Sequence, residues 1–158
     1  MTEETKQESE IGSSPHHAEA LVLNCMDYRL VDDVTRYMEA RGMRDSYDQV
    51  ILAGAAIGAL TYKRNAWGQT FWEHVRLARE LHGIRRLIVI DHRDCGACKG
   101  LIDIHCADDP EEELAVHRHW MQKLIDEAAE REPDLVVEAL FMELDGSVSA
   151  LFGNNASA

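Results

Sequence analysis

The chain is 158 residues long, a normal size for one domain built around one core. Its hydrophobic share of 46% is ordinary, and no apolar run approaches the ~20 residues needed to span a bilayer. A formal net charge of −13 speaks against nucleic acid or an anionic membrane as a partner, since either demands a basic face.

Met1 to His17 is polar and acidic and carries Ser13-Ser14-Pro15. It has neither the basic start nor the apolar stretch of a secretory leader. Residues 1–18 are therefore expected to be a disordered acidic tail and residues 19–158 one domain, with a cytoplasmic location. Ala20–Asn24 reads as a buried strand. Val31 to Arg41 reads as a helix, with Asp32 and Asp33 early in it and Gly42 as its stop. Gln49 to Ala53 is a second strand, and Gly54 to Ala59 is a small-residue turn where backbone passes close to something. Trp67 to His82 is the next helix, with Phe71, Val75, Ala78 and Leu81 as its apolar stripe and Gly83 just past its end.

Leu87–Asp91 is a third strand, and Gly96 to Ile104 opens a short helix. Asp109-Pro110 starts another, an acceptor side chain followed by proline at the first helical position. That helix points Leu114, Met121, Leu124, Ile125 and Ala128 inward and ends before Pro133. Leu135 to Leu144 is a long strand, and Asp145-Gly146 signals a two-residue hairpin into Ser147–Phe152. The alternation predicts a single α/β domain, with a mainly parallel central sheet of about four strands flanked by helices and a C-terminal hairpin strand. Ser147–Phe152, read as an apolar edge, predicts a homodimer or higher homo-oligomer.

Two motifs carry the chemistry. Cys25-Met26-Asp27-Tyr28-Arg29 follows the first strand, and His92-Arg93-Asp94-Cys95-Gly96 follows the third. Ligands of open α/β sheets bind beyond the carboxyl ends of strands, so neighbouring strands bring Cys25, His92 and Cys95 to one place. Two thiols and an imidazole suit Zn²⁺, and three protein ligands leave a position for water, the mark of a catalytic site. Asp27 stands where it could orient that water and Arg29 where it could hold Asp27; the plainer reading of this pair is a surface ion pair of little energetic worth.

The cysteines leave alternatives open. Without a leader, the four of them (Cys25, Cys95, Cys98, Cys106) point to metal or redox chemistry rather than disulfides. Cys95-Gly96-Ala97-Cys98 also fits a redox pair at a helix N-terminus, and Cys98 as a fourth ligand would close the site into a structural Cys₃His centre. Cys106 reads as a thiol without a role. His16, His17, His74, His82, His105, His117 and His119 read as solvent-facing or locally hydrogen-bonded.

Together the motifs resemble the β-class carbonic anhydrases, whose signature is C-x-D-x-R followed much later by H-x-x-C. The resemblance runs from about Glu19 to Phe152 and includes Asp94-Cys95-Gly96-Ala97 around the second cysteine. It departs at Ile51-Leu52-Ala53-Gly54-Ala55, where the family commonly has R-N-A-G-N: Gly54 is kept, the Arg and both Asn are absent. The resemblance implies one Zn²⁺ on Cys25, His92 and Cys95, and reversible hydration of CO₂ to bicarbonate by zinc-bound hydroxide. It also implies that Asp27 either accepts a hydrogen bond from the metal's water or moves onto the metal, with Arg29 holding it. A related COS or CS₂ hydrolase, or a non-catalytic zinc-binding regulator or assembly protein, would use the same motifs.

Overall fold

The computed structural model describes residues 16–102 and 109–153. The expectations for Met1–Pro15, for Ile104, His105 and Cys106, and for residues 154–158 lie outside these. Strands β1 (Ala20–Asn24), β2 (Tyr47–Ile51), β3 (Arg86–His92), β4 (Val136–Met142) and β5 (Val148–Ala150) form one sheet in the order β2-β1-β3-β4-β5. The first four pair in parallel and β5 returns antiparallel to β4. The helices are α1 (Val31–Ala40), α2 (Ala56–Leu60), α3 (Asn65–His82), α4 (Gly96–Ile102) and α5 (Pro110–Arg131). No helix among the described residues is long and apolar enough to cross a membrane.

The strand sequences explain the layering. β1 is buried along its whole length and β3 from Leu87 onward, as central strands of a parallel sheet covered on both faces must be. Successive side chains alternate between those faces. Leu21, Leu23, Leu87, Val89, Ala139 and Phe141 join the core under α3 and α5. Ala20, Val22, Ile88, Ile90, Leu140 and Met142 pack with Val34 and Met38 of α1 on the other side. The result is a three-layer α/β/α domain.

Local signals set the helix ends. The Asp109 carboxylate accepts the Glu111 N–H at 2.8 Å and the Glu112 N–H at 3.4 Å, with Pro110 opening α5. Gly83 (φ +64°) closes α3 with its N–H on Arg79 O. At the N-terminal side, Ala18 donates to His82 O and Glu19 to Ser46 O.

Several expectations shift. β2 lies two residues earlier than its apolar stretch suggests, because its ladder sets Tyr47 opposite Ala20 and Ile51 opposite Asn24. The small-residue stretch turns at Gly54 (φ +79°) and Ala55 (φ +45°) and then winds into α2. α3 starts at Asn65, after a 3-10 turn at Tyr62–Arg64. Leu81 is 63% exposed and Trp72 takes its place in the stripe. At ~100° per residue, position 81 has rotated roughly 80° from Phe71. The final hairpin has three loop residues, not two: Gly146 donates to Glu143 O and Glu143 to Ser147 O, with Gly146 at φ +86°. Leu151 is buried in the chain's own core and Phe152 packs against it, so Ser147–Phe152 offers a partner little apolar surface.

Gly58 gives a stability test. A Cβ there would collide with the Ala53 carbonyl oxygen, whereas at Gly100 of α4 it would meet nothing within 4 Å. Gly58→Ala should lower the unfolding free energy by about 1–3 kcal/mol or more. Gly100→Ala should be neutral or stabilising by up to about 1 kcal/mol. Chemical denaturation of both variants measures the contrast.

Candidate metal centre

The sheet order changes direction between β1 and β3: the chain leaves β1 for β2 on one side, then returns to add β3 on the other. Ligands of open α/β sheets gather at such a switch point, beyond the carboxyl ends. Asn24 pairs with Ile90, so Cys25 and His92 emerge side by side. His92 is the last residue of β3 rather than the first beyond it. The donor atoms of Cys25, His92 and Cys95 lie within 4.8 Å of one another, all three residues buried. This is a group able to bind a metal ion.

Both thiols are free, and their sulfurs are 3.9 Å apart. Gly54 N–H points at Cys25 Sγ from 3.3 Å, which identifies what the backbone at the small-residue turn passes close to. His92 donates from Nδ1 to Arg93 O at 2.8 Å, leaving Nε2 as the lone-pair nitrogen. That Nε2 is buried and has no hydrogen-bond partner among the described residues. A buried acceptor without a partner is costly. A metal ion shared with the two sulfurs would satisfy it. Cys98 is disulfide-bonded and stands outside the group.

The three side chains shift one another's ionisation. The Cys95 thiol donates to Cys25 Sγ, and this bond above all holds Cys25 down from 9.0 to about 4 against burial, with help from His92 and the Gly54 N–H. The same bond, then burial, pushes Cys95 up. Burial pushes the His92 imidazole down, but the Cys25 sulfur and the Arg93 carbonyl outweigh it and raise it above 6.5.

Asp27 and Arg29 border the group. Arg29 Nε and its backbone N–H both reach Asp27 Oδ1 at 3.0 Å, and the guanidinium NH2 reaches Oδ2 at 2.7 Å. Arg29 holds the Asp27 carboxyl down to about 2. Asp27 Oδ2 is 3.9 Å from His92 Nε2. The same guanidinium reaches Asp94 Oδ2 at 3.1 Å and Asp94 O at 3.0 Å. A cleft of about 610 Å³ between α2, α3 and α5 shares no residue with this centre.

Two buried residues of α5 were not anticipated. His117 is 1% exposed, and its Nδ1 donates to Asp91 Oδ2 at 2.8 Å, so it is neither solvent-facing nor locally bonded. Asp91 Oδ1 accepts the Ala56 N–H, tying β3 to α2. Glu113, also 1% exposed, accepts from Arg93 and from the Asp94 N–H. His82 likewise bonds a distant partner, Asp48 of β2.

Residues 16–151 match the family described as "Putative carbonic anhydrase", and the chain belongs to that family. An uncharacterised protein of Rickettsia conorii is 34% identical over 137 residues, 87% of this chain and 74% of that protein. Another, from Rickettsia bellii, is 32% identical over 137 residues, 87% of this chain and 84% of that one. Among solved structures, the β-carbonic anhydrase of Coccomyxa, determined with acetazolamide, aligns with a TM-score of 0.51 at 15% identity, covering 89% of this chain and 74% of that one. The β-carbonic anhydrase CcaA also gives 0.51, at 16% identity, covering 87% and 81%. The shared fold is that of the β-carbonic anhydrases.

Metal ligands must be deprotonated, so a metal competes with protons for this group. With Cys95 and His92 both pushed up, metal uptake would displace the Cys95 proton and, below the raised His92 pKa, that of His92 too. Binding should therefore tighten by about tenfold per pH unit for each proton released, more steeply at the acid end of a pH range than at its alkaline end. Chelator competition across that range measures the slope, and a flat profile would contradict it.

Proposed function

We propose that this chain is a zinc-dependent carbonic anhydrase that interconverts CO₂ and bicarbonate, with Cys25, His92 and Cys95 holding one Zn²⁺. The observation that carries this reading is the buried Cys-His-Cys group with an orphaned His92 Nε2, bordered by an Arg-clamped carboxylate. The donor spacing supports zinc. Two sulfurs each ~2.3 Å from a tetrahedral ion lie roughly 3.8 Å apart, close to the 3.9 Å found here. Zinc held there supplies a Lewis acid that lowers the pKa of a bound water from 15.7 toward ~7.

The remaining work falls to the chain. Cys25 and Cys95 neutralise the ion's charge and leave it three protein donors, and Asp27 lies outside the donor group. Arg29 grips both oxygens of Asp27, which keeps the carboxylate from turning toward the ligands and fixes the direction of its free lone pairs. The low pKa of Asp27 keeps it ionised at neutral pH, as an acceptor that orients a reacting O–H. Asp94 steadies Arg29 from the far side.

A homo-oligomer in the cytoplasm completes the proposal. Met26, Tyr28 and Val31, from beyond the end of β1 to the start of α1, and Ile51, the last residue of β2, are 65%, 85%, 53% and 51% exposed, and these exposed apolar side chains support association. Light scattering at micromolar concentration should give at least a dimer mass, and a monomer would reject it.

Stopped-flow CO₂ hydration on zinc-loaded protein tests the activity, with Cys25→Ser as the metal-free control. Asp27→Asn should keep zinc and fold while turnover falls by ~10²-fold or more. Near-normal turnover in Asp27→Asn would remove the carboxylate from the mechanism. Absence of hydration by the zinc-loaded wild type, with hydrolysis of COS or CS₂ instead, would replace the substrate assignment.

A further inference from the structure

Arg93 and Asp94 share one peptide bond, and that planar unit is held from both edges. The carbonyl oxygen of Arg93 accepts the His92 Nδ1–H at 2.8 Å. The N–H of Asp94 donates to Glu113 Oε1 at 2.5 Å. In a trans peptide these two groups point in opposite directions across a conjugated unit. A carboxylate at the N–H therefore polarises the carbonyl and makes it a stronger acceptor. Glu113 is 1% exposed, so little solvent screens its charge, and its Oε2 takes Arg93 NH1 at 2.8 Å.

We infer that Glu113 is a positioning residue for the metal centre, acting through the 93–94 peptide to fix the His92 ring with Nδ1 protonated and Nε2 free to ligate. It serves a second arm as well. Asp94 sits in the left-handed region at φ +56°, and from there its carbonyl and carboxylate reach Arg29, which clamps Asp27. One buried carboxylate on α5 thus anchors both the ligand and the clamp. The inference rests on the proposed role of His92 as a ligand. Ligating histidines commonly donate their other N–H to a carboxylate or carbonyl, and losing that partner costs about 10–100-fold in metal affinity. Here the carboxylate stands one peptide further back.

A purely structural role would run through Arg93, and Glu143 provides the control. Glu143 binds the same guanidinium through both oxygens at 2.9 Å but is not bonded to the 93–94 peptide. Zinc affinity by chelator competition, and the tautomer of the His92 ring by long-range ¹H–¹⁵N correlation, are read on wild type, Glu113→Gln and Glu143→Gln. Glu113→Gln keeps the side-chain volume and should lose about 10–100-fold in zinc affinity. Its metal-free His92 should show mixed tautomers. Glu143→Gln should match wild type in both readouts. If Glu113→Gln does not fold, Glu113→Asp, which withdraws the carboxylate by one methylene, should shift both readouts in the same direction.

Wild-type zinc affinity with an unchanged His92 tautomer in the Glu113 variant would overturn the inference, as would an equal loss in Glu143→Gln. Catalysis enters neither readout. A wild type that binds zinc without hydrating CO₂ refutes the activity and leaves Glu113 in place. A wild type that binds no zinc refutes the ligand assignment, while the ring tautomer of the metal-free protein still decides the role of Glu113.

Discussion

Asn24 lies opposite Ile90 in the parallel ladder between β1 and β3, and everything at the candidate metal centre follows from that register. One residue beyond Asn24 is Cys25, and two beyond Ile90 is His92. Parallel strands deliver their ends at one level of the sheet without any turn joining them. A slip of one residue would rotate every side chain of β1 to the opposite face and send Cys25 away from His92. The slip is prevented by packing rather than by the site: Leu21 and Leu23 belong to one core, Ala20 and Val22 to the other. The hydrophobic layers set the register, and the register sets the chemistry.

Buried polar groups cluster around this centre, and most of their polar atoms are paired, the Nε2 atoms of His92 and His117 excepted. Asp91, His92, Glu113 and His117 are each 2% exposed or less. Asp91 is shared between the Ala56 N–H and His117, and Glu113 between Arg93 and the Asp94 N–H. Arg93, its guanidinium lying over the Phe141 ring, is held on three sides by Glu113, Glu143 and the Pro110 carbonyl. These contacts are directional, and they tie α5 to β3 in one relative position. An apolar seam of the same area would permit sliding.

The grouping of Cys25, His92 and Cys95 into a candidate site was legible because the information is local. A run such as Leu87–Ile90 announces a buried strand, and the residues just after it announce where a site must be. Glu113 and His117 were not legible for the opposite reason. They reach the centre from a separate helix about twenty residues downstream, and a Glu or His is ordinarily assigned to solvent. A signal was nevertheless present: positions 113, 117, 121, 124 and 128 form a single helical stripe, and all five are buried. Treating the two polar members as part of that stripe would have placed them inward. α2 escaped notice because Gly54 to Leu60 carries no polar face to give a helical period. Its fold depends on Gly58 passing under the Ala53 carbonyl, which is a tertiary fact. Leu81 was misplaced because a stripe read at every third or fourth residue drifts around a long helix.

Cys25 and Cys95 are seventy positions apart in the chain, with α1, β2, α2, α3 and β3 between them. An ion held by both would act as a cross-link as well as a reagent. It would close a long loop in the denatured chain and reduce the freedom that unfolding releases, an effect that grows only logarithmically with loop length yet is already substantial at this span. A protein that keeps its ion during unfolding would thus refold from a partly folded-back chain, with β1 and β3 tethered at the ends where they pair. The same group is also placed to act as the clasp of the sheet.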